Sequence, residues 1–324
     1  MTMARRQFVA TLGLAALGQW SMPASAAYPE RLISITVPTA PGGTVDVIAR
    51  IVGEQLGRVL GQSVVVNNKP GAGGALGTAA MVRETPDGYS IMFTANSNQL
   101  IVPWVYKDAR FDPIKDFVPI AAVGIVPNVL CVHPSFPAKS LKEFIAEIKA
   151  HPNKYTYASA GNGTLNHLLG EMLKQQAGLE MQHIPYKGVA PAMNDVMGNQ
   201  VPMLFASLPA AVQSVKVGQL RALGVSSVSR SALLPSVPAI GEQVPGFNGD
   251  LWVAVYAPRG TPPAVVERLH GAVKSALATS EVKQRFEQLG ITVMHDGPAE
   301  LARRQEVELQ QWKQLVKASG VTAD

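Results

Sequence analysis

The chain has 324 residues, of which 47% are hydrophobic and 16% charged, enough apolar content for two packed domains of about 100–200 residues each. Its 28 Lys and Arg against 23 Asp and Glu give a net charge of +5, or +3 once Arg5 and Arg6 are set aside. The remaining positive charges are scattered, which excludes a nucleic-acid surface, and the single cysteine, Cys131, excludes an intrachain disulfide. Cys131 lies in a strand-like run at 128–132 and reads as a core residue.

Residues 1–26 have the three parts of an export signal. Arg5-Arg6 is the positive end, an apolar stretch runs from Phe8 to Leu17, and Ala24-Ser25-Ala26 offers small residues at a peptidase site. The stretch is too short and too glycine-containing for a membrane anchor, so cleavage and a periplasmic destination are expected. The arginine pair followed shortly by Phe8 suggests twin-arginine export, with ordinary Sec export as the alternative. No later stretch of 18 apolar residues occurs, and the mature chain is expected to be soluble.

From there strands alternate with helices. Periodicity predicts a strand at 32–37, a helix at 45–60 stopped by Gly61, and a strand at 63–66. A glycine run then leads to a helix at 75–83, and a Pro86-Asp87-Gly88 turn precedes a strand at 89–94. A second round starts near Pro127. Strands are predicted at 129–132, 155–158, 182–185, 202–205 and 221–225, with helices at 141–150, 165–177, 190–197 and 210–217. After a proline-rich connector at 234–246, strand character returns at 252–256, and helices at 263–279, 281–289 and 298–318 close the chain. This alternation predicts an α/β fold built on a mainly parallel sheet covered by helices. Because strand and helices return after the second round, two lobes are expected: 27–126 plus 251–324, and 127–250. The crossovers fall near 124–127 and 246–250.

Two turns share one architecture. Pro38-Thr-Ala-Pro-Gly-Gly-Thr-Val-Asp46 joins the first strand to its helix, and Ala158-Ser-Ala-Gly-Asn-Gly-Thr-Leu-Asn-His167 does the same in the second lobe. Each has glycines for close backbone approach and a Thr suited to capping, at a helix N-terminus where N–H groups favour anions. The candidate ligand residues are therefore Ala40, Pro41, Gly42, Gly43 and Thr44 in one turn, and Ser159, Ala160, Gly161, Asn162, Gly163 and Thr164 in the other. Asp46 would repel an anion unless it faces away, so it reads as a brace for backbone N–H groups, or else as a partner for a ligand amino group. His167 reads as a pocket wall or structural residue rather than a base. Asn96 and Asn98, where the chain leaves the third strand, could line a cleft, and Tyr186 sits just past a second-lobe strand. The glycines from Gly71 fail the dinucleotide template because Leu76 stands where its last glycine is required. No Walker sequence, G-x-S-x-G, H-E-x-x-H or C-x-x-C occurs, and the six histidines lack metal-ligand spacing, so neither a cofactor nor a metal is implied.

In this order the motifs resemble the tripartite tricarboxylate transporter receptor family, also called Bug proteins. The matching stretches are the first turn, Val66-Asn-Asn-Lys-Pro-Gly-Ala-Gly-Gly74, Pro86-Asp-Gly-Tyr89, Gly161-Asn-Gly-Thr164 with His167, Pro185-Tyr-Lys-Gly188, Leu220-Arg-Ala-Leu-Gly-Val225 and Leu234-Pro-Ser-Val-Pro-Ala239. The resemblance implies a type II periplasmic binding-protein fold with two α/β lobes, a ligand cleft between them and no catalytic activity. It also implies a ligand carboxylate held between the two turns. Where Ala206 stands, many relatives carry an acidic residue, which implies that ligands with an amino group are not favoured here. The leading expectation is a monomeric receptor handing a small carboxylate to membrane transporter subunits. The alternative is a sensor presenting it to a membrane sensor kinase, and a hydrolase using Ser159 is a distant third.

Overall fold

The computed structural model describes residues 28–322; the expected export signal and cleavage site lie outside them. Strands β1 (Ile33–Val37), β2 (Val64–Asn68), β3 (Ser90–Ala95) and β4 (Phe117–Val126) come first in the chain. Strands β5 (Asn128–Val132), β6 (Thr156–Ser159), β7 (Gln182–Pro185), β8 (Met203–Ser207) and β9 (Arg221–Val225) follow, and β10 (Leu251–Pro258) and β11 (Thr292–Val293) return. They form two sheets, ordered β11-β4-β10-β3-β1-β2 and β7-β6-β8-β5-β9, one to each lobe.

Helices α1 (Thr44–Leu60), α2 (Ala75–Met81) and α3 (Val102–Val105) belong to the first excursion, and α4 (Leu141–Ala150), α5 (Leu165–Ala177), α6 (Val189–Met197) and α7 (Leu208–Lys216) to the second. The chain closes with α8 (Pro263–Ala278), α9 (Ser280–Leu289) and α10 (Pro298–Ser319). Local chemistry explains their limits. α1 buries Val45, Ile48, Val52 and Leu56 on one face and ends at Gly61, whose φ of 68° suits the left-handed cap. Ser140 caps α4 by accepting from the Glu143 N–H, and Thr164 caps α5 by accepting from the His167 N–H.

Both sheets are mixed, which corrects the expectation of a mainly parallel sheet. β1 pairs in parallel with β2 and β3, and β6 with β7 and β8. β10 runs antiparallel to β3 and β4, and β5 antiparallel to β8 and β9. β10 and β5 are each the first strand laid down after the chain crosses between lobes, while two-residue β11, also antiparallel to β4, comes later. Leu251 pairs with Val126 and Asn128 with Ser207, so each arriving strand starts beside the carboxyl end of a neighbour. An arriving strand must run away from the cleft while its neighbours run toward it.

β4 is absent from the sequence prediction. It contains Pro119 and Gly124 and is largely buried on both faces, so it has no period-two alternation to read. Pro119 fits because two-residue β11 pairs only with Ile125 and Gly124, leaving that edge of β4 without a partner strand at Pro119. The helical segment after β3, a π turn at Ser97–Ile101 running into α3, is also unpredicted.

One apolar core crosses the lobe boundary. It joins Met92, Trp252 and Tyr256 of the first sheet to Leu130, Tyr157 and Phe205 of the second, with Trp312 and Leu315 of α10. α10 lies against both β4 and α5.

Beside the crossovers the Asn128 N–H donates to Ser226 Oγ at 2.8 Å, and that hydroxyl donates to Asp250 Oδ1 at 2.8 Å. Asn96 Nδ2 donates to the Asp250 carbonyl at 2.9 Å, and Asn96 Oδ1 accepts from the Trp252 N–H at 3.4 Å. Burial pushes the Asp250 carboxyl up to about 6, against the Ser226 hydrogen bond and with help from Glu308. Between the ordinary carboxylate value of about 3.9 and about 6, the folded state holds a proton that the unfolded chain has released, so stability falls as pH rises through that window. Asp250→Asn is expected to raise the unfolding free energy near pH 7 by about 1–3 kcal/mol and to flatten the slope between pH values of about 4 and 6, as read from thermal unfolding across pH.

Candidate functional site

The loop between β1 and α1 is built around Asp46. The Gly42 N–H donates to Asp46 Oδ2 at 2.8 Å and Arg50 Nε to the same oxygen at 3.1 Å. Asn68 Nδ2 donates to Oδ1 at 2.9 Å, and Arg50 Nη2 lies 2.9 Å from it. The Asp46 side chain is only 4% exposed, and both oxygens are occupied, so it is the loop's brace. Burial alone would raise its carboxyl. The hydrogen bonds from Arg50, Gly42 and Asn68 outweigh that and hold it below the usual carboxylate range.

The Gly43 N–H turns back to the Ala40 carbonyl at 3.4 Å. Both glycine N–H groups therefore serve the loop itself, while those of Thr44 and Val45, in the first turn of α1, have no intrahelical acceptor. Ala40, Pro41, Gly42 and Gly43 are exposed around them.

The second loop repeats this division. Gly161 and Gly163 have φ of 131° and 71°, which other residues rarely adopt. The Gly161 N–H donates to Ser159 Oγ at 3.0 Å, and the Gly163 N–H donates to His167 Nδ1 at 3.1 Å. The Gly161 carbonyl accepts from the Thr164 hydroxyl at 2.8 Å. The glycines shape the turn, Asn162 is exposed at its tip beside half-buried Ala160, and the unpaired donors belong to Leu165 and Asn166 at the start of α5.

These two helix starts meet a third. Thr44 Oγ1 lies 3.3 Å from Ser207 Oγ, a contact between lobes, and Ser207 is the N-cap of α7. Asn166 Nδ2 donates to the Phe205 carbonyl at 3.0 Å, which ties the start of α5 to the end of β8. Gly163 packs so tightly against Val105 of the first lobe that an added Cβ would stand 3.0 Å from the Val105 Cβ. The N-termini of α1, α5 and α7 thus converge where the lobes touch, and their partial positive charges favour an anion there.

Other sequence candidates have different surroundings. Asn96 is 1% exposed with its amide engaged at the hinge. Asn98 Nδ2 donates to the Gly73 carbonyl at 2.6 Å, which holds the glycine loop. The Tyr186 hydroxyl donates to Asp195 at 2.6 Å, and Ala206 is fully buried among apolar residues that include Val129 and Leu204. His167 lies under its loop, 6% exposed, as a structural residue.

Ser207 and His183 were not anticipated. Ser207 had a legible signal, a serine just before a Leu-Pro helix start. His183 had none, being one residue of an ordinary strand, yet its Nε2 lies 2.6 Å from Ser159 Oγ. Ser159 is fully buried and its hydroxyl lies within hydrogen-bond distance of both the Gly161 N–H and the Gly161 carbonyl, so it braces the turn.

Asp46→Ala is expected to destabilise the fold by about 1–3 kcal/mol, because several donors lose their acceptor. In the wild type, stability should also fall as pH drops from the ordinary value of about 3.9 through the lowered folded value, since the unfolded chain then binds the extra proton. Urea unfolding at neutral and acid pH checks both, and the variant should lack this part of the acid loss.

The family model described as tripartite tricarboxylate transporter family receptor matches residues 48–321. Among solved structures, the periplasmic binding protein BugD is 36% identical, with 92% of this chain and 100% of that one aligned and a TM-score of 0.81. Rpa4515 of R. palustris, solved with adipate, is 30% identical over 91% of this chain and 99% of its own, with a TM-score of 0.84. MatC from Rhodopseudomonas palustris, solved with bound malate, is 29% identical over 89% and 100%, with a TM-score of 0.80. With this two-lobed fold and a family match across most of its length, the chain belongs to the tripartite tricarboxylate transporter receptor family.

Proposed function

We propose that this protein is a periplasmic receptor that captures a small carboxylate between its lobes and delivers it to the membrane subunits of a tripartite tricarboxylate-type transporter. The observation that carries this reading is the convergence of three helix N-termini, from α1, α5 and α7, across one lobe-to-lobe contact between Thr44 and Ser207. N–H groups of the first helical turns, at Thr44, Val45, Leu165 and Asn166, supply donors, and the Thr44 and Ser207 hydroxyls complete a neutral, donor-rich cradle suited to a carboxylate. The relatives solved with adipate and malate support the ligand class. The export signal at 1–26 supports the compartment.

In this reading 27–126 plus 251–324 form one lobe and 127–250 the other, and the protein acts as a monomer without turning its ligand over. The Ala40–Thr44 and Ser159–Thr164 turns shape the site, and Asp46 has no vacant oxygen for a ligand amino group.

Gly43 provides the test, because its φ of −74° is open to any residue and an added Cβ would meet only the Ala40 carbonyl oxygen at 3.4 Å. A thermal-shift panel of di- and tricarboxylates, aromatic acids, amino acids and sugars is run on the mature protein after refolding to remove carried ligand. A ligand at a hundred times its Kd stabilises the native state by about 2.7 kcal/mol. A carboxylate is expected to raise the Tm of the wild type and of Gly43→Ala, but not that of folded Gly43→Asp. No shift with any carboxylate, or an equal shift in Gly43→Asp, counts against the proposal.

A further inference from the structure

Under the second-lobe loop two imidazoles lie face to face. The His167 and His183 rings are 3.5 Å apart between centroids and 9° from parallel, and Tyr157 of β6 lies beside both, at 6.2 and 5.1 Å. Each ring is linked to one of the two glycines that set the loop, His167 directly and His183 through Ser159. His167 accepts the Gly163 N–H on Nδ1 at 3.1 Å, and His183 Nε2 lies 2.6 Å from the Ser159 hydroxyl, which accepts the Gly161 N–H at 3.0 Å.

We propose that His183 is a positioning residue of the carboxylate site: through Ser159, and stacked on His167, it holds Gly161 and Gly163 in the left-handed geometry that aims the first turn of α5 into the cleft. This inference rests on the carboxylate reading of the cleft.

The arrangement requires both rings to be neutral. An Nδ1 that accepts a peptide N–H has no room for a proton, and a charge on either ring would face the other at 3.5 Å. The charged groups around the pair are already satisfied by one another. Glu171 receives the Tyr157 hydroxyl at 2.7 Å and Lys174 at 2.8 Å, and its carboxylate is 4.0 Å from His167 Nε2. Burial, with Lys174 adding to it, pushes His167 down to about 4. Burial and the neighbouring His167 push His183 down to about 3, with Glu171 opposing and Lys174 adding. Because these values lie below the ordinary histidine value of about 6.5, the unfolded chain takes up protons first as pH falls from there, and the latch weakens toward acid pH.

The location gives the latch a consequence for binding. Gly163 is the point at which this loop meets Val105 of the first lobe, so the held geometry is what the closing lobe encounters. His183 meets Ser159 by hydrogen-bond distance and His167 by stacking, and acts through these two residues.

The test uses the mature protein with malate and adipate as probes. NMR amide exchange is followed at Gly161 and Gly163 in the wild type, in His183→Ala and in His183→Gln, whose amide nitrogen can still reach Ser159. Calorimetry gives the Kd for each acid. Exchange at both glycines is expected to rise about tenfold in His183→Ala and to recover in His183→Gln, with the Kd rising and recovering in step, as loss of one hydrogen-bonded support implies. In the wild type the Gly163 amide shift is expected to titrate with a midpoint near about 4. Unchanged exchange in His183→Ala overturns the proposal, and so does raised exchange with an unchanged Kd. If His183→Ala does not fold, His183→Phe, which keeps a ring against His167 but cannot bond Ser159, takes its place, and unchanged exchange at Gly161 in it overturns the proposal. If the wild type binds neither acid, the carboxylate reading loses its support, while the exchange at Gly161 and Gly163 still decides whether His183 holds the loop.

Discussion

The first N–H groups of a helix have no acceptor within their own helix. In this protein α1 and α5 place that deficit where the lobes meet, beside the Ser207 hydroxyl that starts α7, whose own Leu208 N–H donates to the Pro127 carbonyl. α1, α5 and α7 each begin directly after a strand or a short loop at the mouth between the sheets, and their starts are linked by Thr44 to Ser207 and by Asn166 to Phe205. The inward-turned glycine N–H groups, the buried carboxylate of Asp46 and the buried hydroxyl of Ser159 all bear on the same task. They satisfy the loops internally and leave the first N–H groups of α1 and α5 unpaired.

Holding such a place between two lobes sets conditions on the rest of the fold. Parallel strand–helix units bring carboxyl ends of strands, and so helix starts, to the cleft in each lobe. The chain must also cross between lobes, and β5 and β10 are the strands that begin at the crossings and run against their neighbours. The hydrogen-bonded chain from Asn128 through Ser226 to Asp250 ties the two crossings together, with Asn96 reaching the same segment from the first lobe. α10 then lies across β4 and α5. The lobes therefore share an apolar core on one side and face each other through polar loops at the cleft.

The two loops are stabilised by different chemistry for the same end. In the first lobe a carboxylate gathers a peptide N–H, an amide and a guanidinium, and stays ionised because those donors outweigh its burial. In the second, neutral imidazoles do the equivalent work, and they remain neutral because burial disfavours their charge and Glu171 is already engaged by Tyr157 and Lys174. Neither solution leaves an uncompensated charge at the helix starts. That matters because a stray carboxylate there would repel an anionic ligand and a stray cation would bind one indiscriminately.

Much of this was legible in the amino-acid sequence. The periodic runs that became α1, α4 and α5 have sharp ends, because Gly61, Ser140 and Thr164 carry their stop and cap chemistry locally. The two glycine turns announced themselves by spacing, and the ordered motifs pointed to the family. β4 was hidden because burial on both faces erases alternation, and the sheets' mixed pairing was hidden because strand direction depends on where a chain re-enters a lobe. At the site, the sequence determined which loops are special, since glycine and capping residues act within a few positions of themselves. Only the tertiary structure decided which atoms are left for a ligand, and it brought Ser207 to Thr44 and His183 to Ser159 across 163 and 24 residues. A hydrogen bond forms by distance in space, and no local propensity records which remote group will arrive to take a donor or leave it open.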